Sequence, residues 1–429
     1  MNVIPFRTAA EVSLPPRTVF PGFDTVRAMA AIGVVLLHAC VPYLRHPMPG
    51  LAWPVRDSQS NCVDLLFWSI ELFIMPVFLV LAGFLAWQTL SHRGPLALVR
   101  GRTRRLLRPL LFGIVVILPM DLYAWLLGWV AEGLIPVVKL KSLKIASPLG
   151  DDLWGLSHLW FLQYLFLYVV AAACCFAAVK RYPSLQRLRP RPAIAAIGLM
   201  VVAAATLVLR PDVVWGFQHA FEPVPSKWIY SGTFFLGGIG IAISDPQLLW
   251  LRQRVGRLIG PAVLLGFAAV AMGRWHLAGG EGNLAAMTLA SLTVASAWMI
   301  TLVGIGVAAR IPSVSPKVKY LAAASFWVYL VHHPILGIVH LDLKWLLPET
   351  APVVKTALAF GATMLASLLS YEAMIRRTRL GRWLGFAWPD VGAASPLHGR
   401  KDADHGETET HSQSEKDQET GVPPVRRAA

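Results

Sequence analysis

Residues 24–38 of the chain read DTVRAMAAIGVVLLH, an apolar run that begins with an Asp/Arg pair and ends with a histidine. Eleven residues separate Arg27 from His38, about three helical turns, so both side chains lie on one face of a helix. The rise between them is about 16 Å, roughly half the hydrocarbon thickness of a bilayer. We predict a membrane helix with Arg27 at the surface and His38 near the middle. An ionisable group at that depth indicates function, and a histidine bonded to a neighbouring helix is the structural alternative.

Apolar runs of about 20 residues recur along the 429-residue chain, which is 55% hydrophobic and 15% charged. That composition is unlike a soluble domain, and long apolar runs without alternation indicate helices. The first 20 residues lack the apolar core of a cleavable signal peptide. We predict an all-α polytopic membrane protein with about ten transmembrane helices, at residues 25–44, 62–90, 107–130, 158–179, 193–209, 228–244, 258–277, 284–308, 319–341 and 352–374.

The formal charge of +15 comes from 39 Lys and Arg against 24 Asp and Glu. When both termini are placed on one face of the membrane, 29 of the 39 basic residues fall on that face. Because cytoplasmic segments are enriched in Lys and Arg, we predict that both termini are cytoplasmic. Topology then explains the basic charge, and no nucleic-acid partner is implied. The predicted domains are a cytoplasmic lead at 1–22, a transmembrane domain at 23–375 and a mostly disordered polar tail at 376–429.

Residues 100–109 read RGRTRRLLRP, with five arginines next to the third predicted span. The planar guanidinium fork binds phosphate oxygens in pairs, so such a cluster is typical of a phosphate-binding surface. Cytoplasmic arginines also fix orientation and contact anionic lipid headgroups. The residues alone leave both interpretations open. We interpret the segment as an inner loop.

Two acidic residues, Asp64 and Glu71, lie seven residues apart in the second predicted span and therefore on one helix face. Asp64 is near the outer surface, where water can solvate it. Glu71 lies inside the span. It is either a partner for His38 or a protonated, hydrogen-bonded structural carboxyl.

The ninth predicted span contains Tyr329, His332 and His333. Counted from the inner surface, His332 lies about 18 Å up the helix, close to the depth of His38. Tyr329 and His333 share a face at a spacing of four residues. Pro334 frees a backbone carbonyl, which needs a local partner.

His158 and Trp160 begin the fourth predicted span, after the largest outer loop. We expect His158 on the outer surface, near the end of the span that carries His38. Trp160 has a structural explanation as part of the aromatic belt at a membrane interface.

The four cysteines give no sign of a metal site, because no Cys/His spacing matches one, and we predict none. Cys40 and Cys62 fall near the outer ends of the first two spans. A disulfide between them is conceivable, and a pair of small buried thiols is the alternative that we favour.

Four motifs, in order along the chain, resemble those of the membrane-bound acyltransferase-3 family. Asp24-x-x-Arg27 followed by His38 resembles its first helix. Arg104-Arg105-Leu106-Leu107-x-Pro109 resembles its arginine-rich segment between spans 2 and 3. His158-Leu159-Trp160-Phe161-Leu162 resembles its His-x-Trp-Phe-Leu element. Tyr329-Leu330-Val331-His332-His333-Pro334 resembles its late Tyr-Leu-x-His helix.

The resemblance covers roughly residues 22–375. The layout is similar to members without an SGNH hydrolase-like domain, such as glucan succinyltransferases and O-acetyltransferases. The family's Phe-Phe-x-x-Ser-Gly-Phe element in span 2 is only partly matched, because Ala82 stands where the serine is expected. A role for a hydroxyl group at that position is therefore unsupported.

The resemblance implies O-acylation of an extracytoplasmic carbohydrate or glycan hydroxyl, with cytoplasmic acyl-CoA of the acetyl or succinyl class as donor and no permanently bound cofactor. It also implies a bacterial-type inner (cytoplasmic) membrane as the location. The residues it points to are His38, Arg27, His332 and Glu71 for catalysis, Arg102, Arg104 and Arg105 for the polyanionic coenzyme, and His158, Trp160, Tyr329 and His333 for the acceptor.

Histidine is the natural base near neutral pH, and His38 at mid-depth would meet a donor from one face and an acceptor from the other. Whether it acts as a base or carries the acyl group covalently is left open. A proton-coupled transporter is one alternative, since intramembrane His and Glu build proton relays, but we find no inverted repeat. A non-catalytic partner in envelope polysaccharide assembly is the other, and it leaves the His and Arg residues unexplained.

Overall fold

The computed structural model describes residues 19–146, 149–150, 153–182, 184 and 191–386. Within those ranges the regular secondary structure is helical and no β-strand is present, which confirms the predicted all-α class. The helices are α1 Gly22–Ala39, α2 Asn61–Arg102, α3 Arg108–Phe112, α4 Leu118–Ala131, α5 Lys139–Ser142, α6 Trp160–Arg181, α7 Pro192–Leu209, α8 Asp212–Trp215, α9 Pro225–Ser244, α10 Leu249–Leu277, α11 Asn283–Ala309, α12 Pro316–Leu346, α13 Pro352–Met374 and α14 Arg379–Trp383.

Eight helical stretches in the described residues are long and apolar enough to cross a membrane. All ten predicted spans fall in helices, but the count differs for two reasons. The predicted spans 62–90 and 107–130 both lie in the 71-residue stretch Asn61–Ala131, which makes one of the eight although its helix is broken at Gly94. The predicted span 228–244 lies in α9, which is not among the eight because Lys227 and several glycines make it less apolar.

The arginine-rich segment is helical, so its interpretation as a loop is wrong. Helix α2 continues to Arg102, with one break at Gly94, where φ is 81°. A π-helical turn then spans Thr103–Leu107, in which the Arg108 N–H donates to the Thr103 carbonyl. Pro109 follows at once, and because it lacks an N–H the helix shifts its hydrogen-bond register locally. Single π-helical turns of this kind are frequent at functional sites.

Helix α1 lies inside the bundle, in contact with α2, α11, α12 and α13. Helices α2 and α9 also pack closely, and their glycines permit it. A methyl group added at Gly83 would clash with the Phe235 carbonyl, and one at Gly238 would clash with the Val80 carbonyl. This agrees with the close approach expected of glycine-containing membrane helices.

The folded part of the chain extends beyond the predicted domain boundary at residue 375. Helix α14 follows that boundary, Leu384 is fully buried, and the ring of Phe386 lies 5.3 Å from that of Phe326 in α12. The remainder of the predicted tail, residues 387–429, and most of the predicted lead, residues 1–18, lie outside the described residues.

Candidate active site

Four histidines from three distant parts of the sequence meet inside the bundle. His38 comes from α1, His158 from the 3₁₀ turn before α6, and His332 and His333 from α12. All four are buried. The ring centroids of His38 and His332 are 5.0 Å apart, and those of His158 and His333 are stacked at 4.7 Å. The structure therefore brings four of the predicted site residues into one cluster.

The hydrogen bonds of His332 and His38 assign their tautomers. His332 Nδ1 lies 2.8 Å from the Tyr329 carbonyl, so it carries the proton and leaves a lone pair on Nε2. That Nε2 faces His38 Nδ1 at 3.3 Å, while His38 Nδ1 also lies 2.8 Å from the Val34 carbonyl. Both neighbours of His38 Nδ1 are acceptors, so its proton sits there. His38 Nε2 is then the unprotonated nitrogen, as a general base requires.

His158 is held by the carbonyl that Pro334 frees. Because Pro334 has no N–H, the Leu330 carbonyl lacks its usual helical donor, and His158 Nε2 lies 3.1 Å from that oxygen. This bond draws His158 into the bundle, where it is 4% exposed, so its predicted place on the outer surface is wrong. The Tyr329 hydroxyl donates to the His158 carbonyl and braces the same turn.

An aspartate outside the predicted site residues binds the cluster together. Asp121 in α4 is 1% exposed, and its Oδ1 accepts a hydrogen bond from His333 Nδ1 at 2.6 Å. Its Oδ2 accepts one from the Ser157 hydroxyl, also at 2.6 Å. The carboxylate fixes the His333 proton on Nδ1 and leaves Nε2 as a buried nitrogen without a partner in the described residues. In the sequence, Asp121 is a single carboxyl group within an apolar run, a pattern that indicates a functional residue in a membrane helix.

Asp121, His158 and His333 also place three possible metal-ligand atoms within 4.8 Å of one another. Two ligands of a tetrahedral zinc ion lie about 3.3 Å apart, given metal–ligand distances of about 2.0–2.1 Å. The Asp121–His333 separation of 2.6 Å is shorter than that. It is the geometry of a proton shared between a carboxylate and an imidazole.

The segment between α1 and α2 covers the histidines with the indole ring of Trp53. The ring of Trp53 lies 4.7 Å from that of His333 and 6.2 Å from that of His38. Its Nε1–H donates to His340 Nδ1 at 3.1 Å, and its carbonyl accepts from Trp129 Nε1 at 2.9 Å. Trp53 thus covers the cluster at the end of α1 that follows His38, a role that its isolated place in a proline-rich segment did not reveal.

An ion pair holds the same segment, between α1 and α2, against α13. Asp57 Oδ2 lies 2.8 Å from the buried ammonium group of Lys355. Burial alone would raise the pKa of Asp57, but hydrogen bonds from Lys355 and from the Ser58 N–H hold that pKa below its usual value. The pair keeps the segment over the histidines at neutral pH.

A cavity of about 60 Å³ adjoins the cluster. It is lined by His38, Glu71, His158 and Trp160, which the sequence predicted, and by Lys227, which it did not. Glu71 makes no hydrogen bond to His38 within the described ranges, and Asp121 is the carboxylate that contacts the histidines. Glu71 therefore shares the cavity with His38 without being its partner.

Lys227 is 5% exposed at the start of α9 and brings a cation into this cavity. Its ammonium group donates to the Gln218 carbonyl at 2.6 Å and lies 3.6 Å from the centroid of the Trp160 ring. Trp160 thus supports a buried cation in addition to any part it has in an interfacial belt. The segment around Gln218 borders the cavity through Phe217.

The arginines form a second group at the other end of α1. Arg27 pairs with Asp24 at 3.3 Å and lies close enough to Arg105 for their guanidinium groups to repel. Arg104 and Arg105 are exposed and Arg102 is half-buried. Arg27 belongs to this group and not to the histidine cluster, because the helix between it and His38 is rigid and about 16 Å long.

The segment around α14 closes against the arginine group. Arg108 donates to the Trp383 carbonyl at 3.1 Å. At Gly385, φ is 81° and an added methyl group would lie 2.9 Å from the Arg104 carbonyl, so glycine suits both the conformation and the space. Cys40 and Cys62 are both free thiols, as expected of the non-bridged alternative, but Cys62 is exposed, so the prediction that both thiols are buried is wrong for Cys62.

The fold and the site together define a polytopic helical membrane protein with a buried histidine–aspartate centre and an arginine group at the opposite end of α1. The family described as an acyltransferase domain matches residues 20–372. The chain therefore belongs to the acyltransferase-3 family, which confirms the resemblance seen in its motifs. It is a membrane acyltransferase that transfers groups other than aminoacyl groups, and the transporter and non-catalytic alternatives are not retained.

Similar proteins are found in Salmonella and Escherichia coli. The chain is 25% identical to the glucans biosynthesis protein C of Salmonella heidelberg (strain SL476) over 336 aligned residues. The aligned region covers 75% of this chain and 82% of that protein. It is also 25% identical to the glucans biosynthesis protein C of Escherichia coli (strain K12) over 329 aligned residues, which are 73% of this chain and 80% of that protein. No solved structure matches the chain.

Proposed function

We propose that this protein transfers an acyl group from cytoplasmic acyl-CoA to a hydroxyl group of an extracytoplasmic glycan, in a bacterial-type inner membrane, with His38 Nε2 as the reacting nitrogen. The observation that carries the proposal is the hydrogen bonding of His38 Nδ1, which leaves Nε2 unprotonated on a residue that lines the cavity. The names of the similar proteins favour a glucan or related carbohydrate as acceptor.

In the direct route, His38 Nε2 takes the proton of the acceptor hydroxyl as the hydroxyl oxygen attacks the thioester carbon. A new C–O bond forms, the C–S bond breaks, and the imidazolium returns the proton to the leaving thiolate. The Val34 carbonyl and His332 Nε2 accept from His38 Nδ1–H and stabilise the imidazolium while it exists. In the covalent route the same Nε2 attacks the thioester carbon, the C–S bond breaks and coenzyme A leaves as the thiolate. The acceptor hydroxyl then attacks the acyl carbon, the C–N bond breaks to restore His38, and the hydroxyl proton balances the charge of the released thiolate, so both routes require this atom.

The acyl donor is tested with the purified protein. We expect transfer from one or more of a panel of acetyl, succinyl and longer acyl-CoAs to a glucan acceptor, measured as released coenzyme A and as acylated product. Folded protein that neither transfers nor hydrolyses any of them would contradict the choice of donor.

The arginine group is proposed to bind the coenzyme. Replacing Arg104 or Arg105 with alanine is expected to weaken acyl-CoA binding by about ten- to a hundredfold, because a hydrogen bond to a charged group contributes about 1.5–3 kcal/mol. Titration of coenzyme A into the purified variants measures the effect. Arg93→Ala is the control, since Arg93 is also exposed on α2. Unchanged affinity in the Arg104 and Arg105 variants would return these residues to a purely topological role.

The orientation is proposed from the distribution of basic residues. Reporter fusions at residues 98 and 185 are expected to read as cytoplasmic and one at residue 145 as extracytoplasmic. An extracytoplasmic signal at residue 98 would place the arginine group on the side without coenzyme A and would contradict the donor assignment.

A further inference from the structure

A second cavity, of about 580 Å³, opens beyond the end of α1 that follows His38 and lies apart from the histidine cluster. Its lining combines two arginines, a histidine, an asparagine and a tryptophan, and the residues are Arg45, His46, Asn61, Arg274, Trp275 and Ala278. None of them takes part in the proposed transfer.

A buried carboxylate organises this cavity. Asp64, in the first turn of α2, is fully buried, so the expectation that water solvates it is wrong. Its Oδ1 accepts from the His46 backbone N–H at 2.8 Å, and its Oδ2 lies 3.0 Å from His46 Nδ1. The same Oδ2 pairs with Arg274 Nε at 2.9 Å. These contacts fix the Arg274 guanidinium at the cavity wall.

The guanidinium group of Arg45 lies beside that of Arg274, because both donate to the side-chain oxygen of Asn61. Asn61 Oδ1 accepts from Arg274 at 3.0 Å and from Arg45 at 3.3 Å. Two like charges converge on a neutral amide, which is unfavourable without an anion nearby. Asp64 neutralises Arg274, but in the part of the chain that the structure describes no carboxylate lies within ion-pair distance of Arg45. The cavity therefore holds a surplus of one positive charge.

We propose that this cavity binds a phosphodiester group. A phosphodiester carries a single negative charge, which matches the surplus, and it presents two free oxygens to two guanidinium forks. The exposed indole of Trp275 and the position at the helix ends are typical of the membrane interface, where phospholipid phosphates lie. The same chemistry is present in a soluble phosphodiester, so the experiment includes both sources.

The test uses the full-length protein in a neutral detergent. Binding is measured by calorimetry with dihexanoyl phosphatidylglycerol, with dihexanoylglycerol, which lacks the phosphate, and with glycerophosphoglycerol, the soluble headgroup. We expect the phosphate-bearing lipid to bind, the phosphate-free lipid not to bind at this site, and high ionic strength to weaken binding. Binding of the soluble headgroup with equal affinity would assign the site to a soluble phosphodiester, which supports the proposed chemistry.

The variants separate this site from general lipid association. Arg45→Gln removes an exposed side chain and leaves Asp64 with its partners, so the protein should fold. We expect binding to weaken at least tenfold in Arg45→Gln and by less in Arg45→Lys, which keeps the charge but loses the fork. Arg210→Gln is the control, because Arg210 is exposed and pairs with Asp212 elsewhere. Equal binding by wild type and Arg45→Gln, or no phosphate-dependent binding at all, would overturn the proposal.

Discussion

Replacing His38 with glutamine is expected to lower acyl transfer by about 10²–10⁴-fold, the usual loss when a general base is removed. Glutamine can still donate to the Val34 carbonyl and fills a similar volume, so the helix and its packing should survive. It has no titratable nitrogen to take the acceptor proton or the acyl group. His38→Ala is expected to be at least as inactive, with a cavity added next to the cluster.

The assay is acyl transfer by detergent-purified variants, normalised to folded protein. His276→Gln is the matched control, because this half-buried histidine lies at the end of α10, away from the cluster, and bonds to the nearby Gly280 carbonyl. A His38→Gln variant with more than about a tenth of wild-type activity would fall outside the expected range and would move the reacting nitrogen to His333 Nε2. A structural His38 would show the reverse pattern, with glutamine tolerated and alanine lowering stability and activity together.

The meeting of the histidines could be predicted from helix geometry. The helical rise per residue predicted that His38 and His332 lie at a similar depth in the membrane. In the structure, His332 Nε2 lies 3.3 Å from His38 Nδ1. Pro334 indicated a carbonyl in need of a donor. The sequence could not say that the donor is His158, because that requires knowing which turn packs against α12.

The missing members of the site share a physical reason. Asp121, Lys227 and Trp53 each make their site contact with a residue of another segment: Asp121 and Trp53 with His333, and Lys227 with Trp160. Their function arises from tertiary contacts, which periodicity does not encode. For Arg27, periodicity correctly predicts a face shared with His38, but a shared face does not mean contact, because the rigid helix between the two residues keeps them apart.

Asp121 is therefore where the structure adds most to the sequence, because one carboxylate holds two other residues of the site. His333 Nδ1 and the Ser157 hydroxyl both donate to it at 2.6 Å in a buried setting. Removing it leaves two buried donors without an acceptor, and each such donor costs about 1–3 kcal/mol. We therefore expect Asp121→Ala to lower the free energy of unfolding by about 2–6 kcal/mol, since the two losses add.

Asp121→Asn separates structure from chemistry at this position. The asparagine oxygen can accept from one of the two donors, so we expect a smaller loss of stability than in the alanine variant, measured as the thermal midpoint in detergent. The negative charge is lost, however, so the acceptor that holds the His333 proton on Nδ1 and leaves Nε2 unprotonated is weaker than the carboxylate. Transfer per folded molecule should fall in Asp121→Asn and not in the control Asp342→Asn, whose side chain is exposed on α12. Wild-type stability and activity in Asp121→Asn would show that the carboxylate charge serves neither the fold nor the reaction.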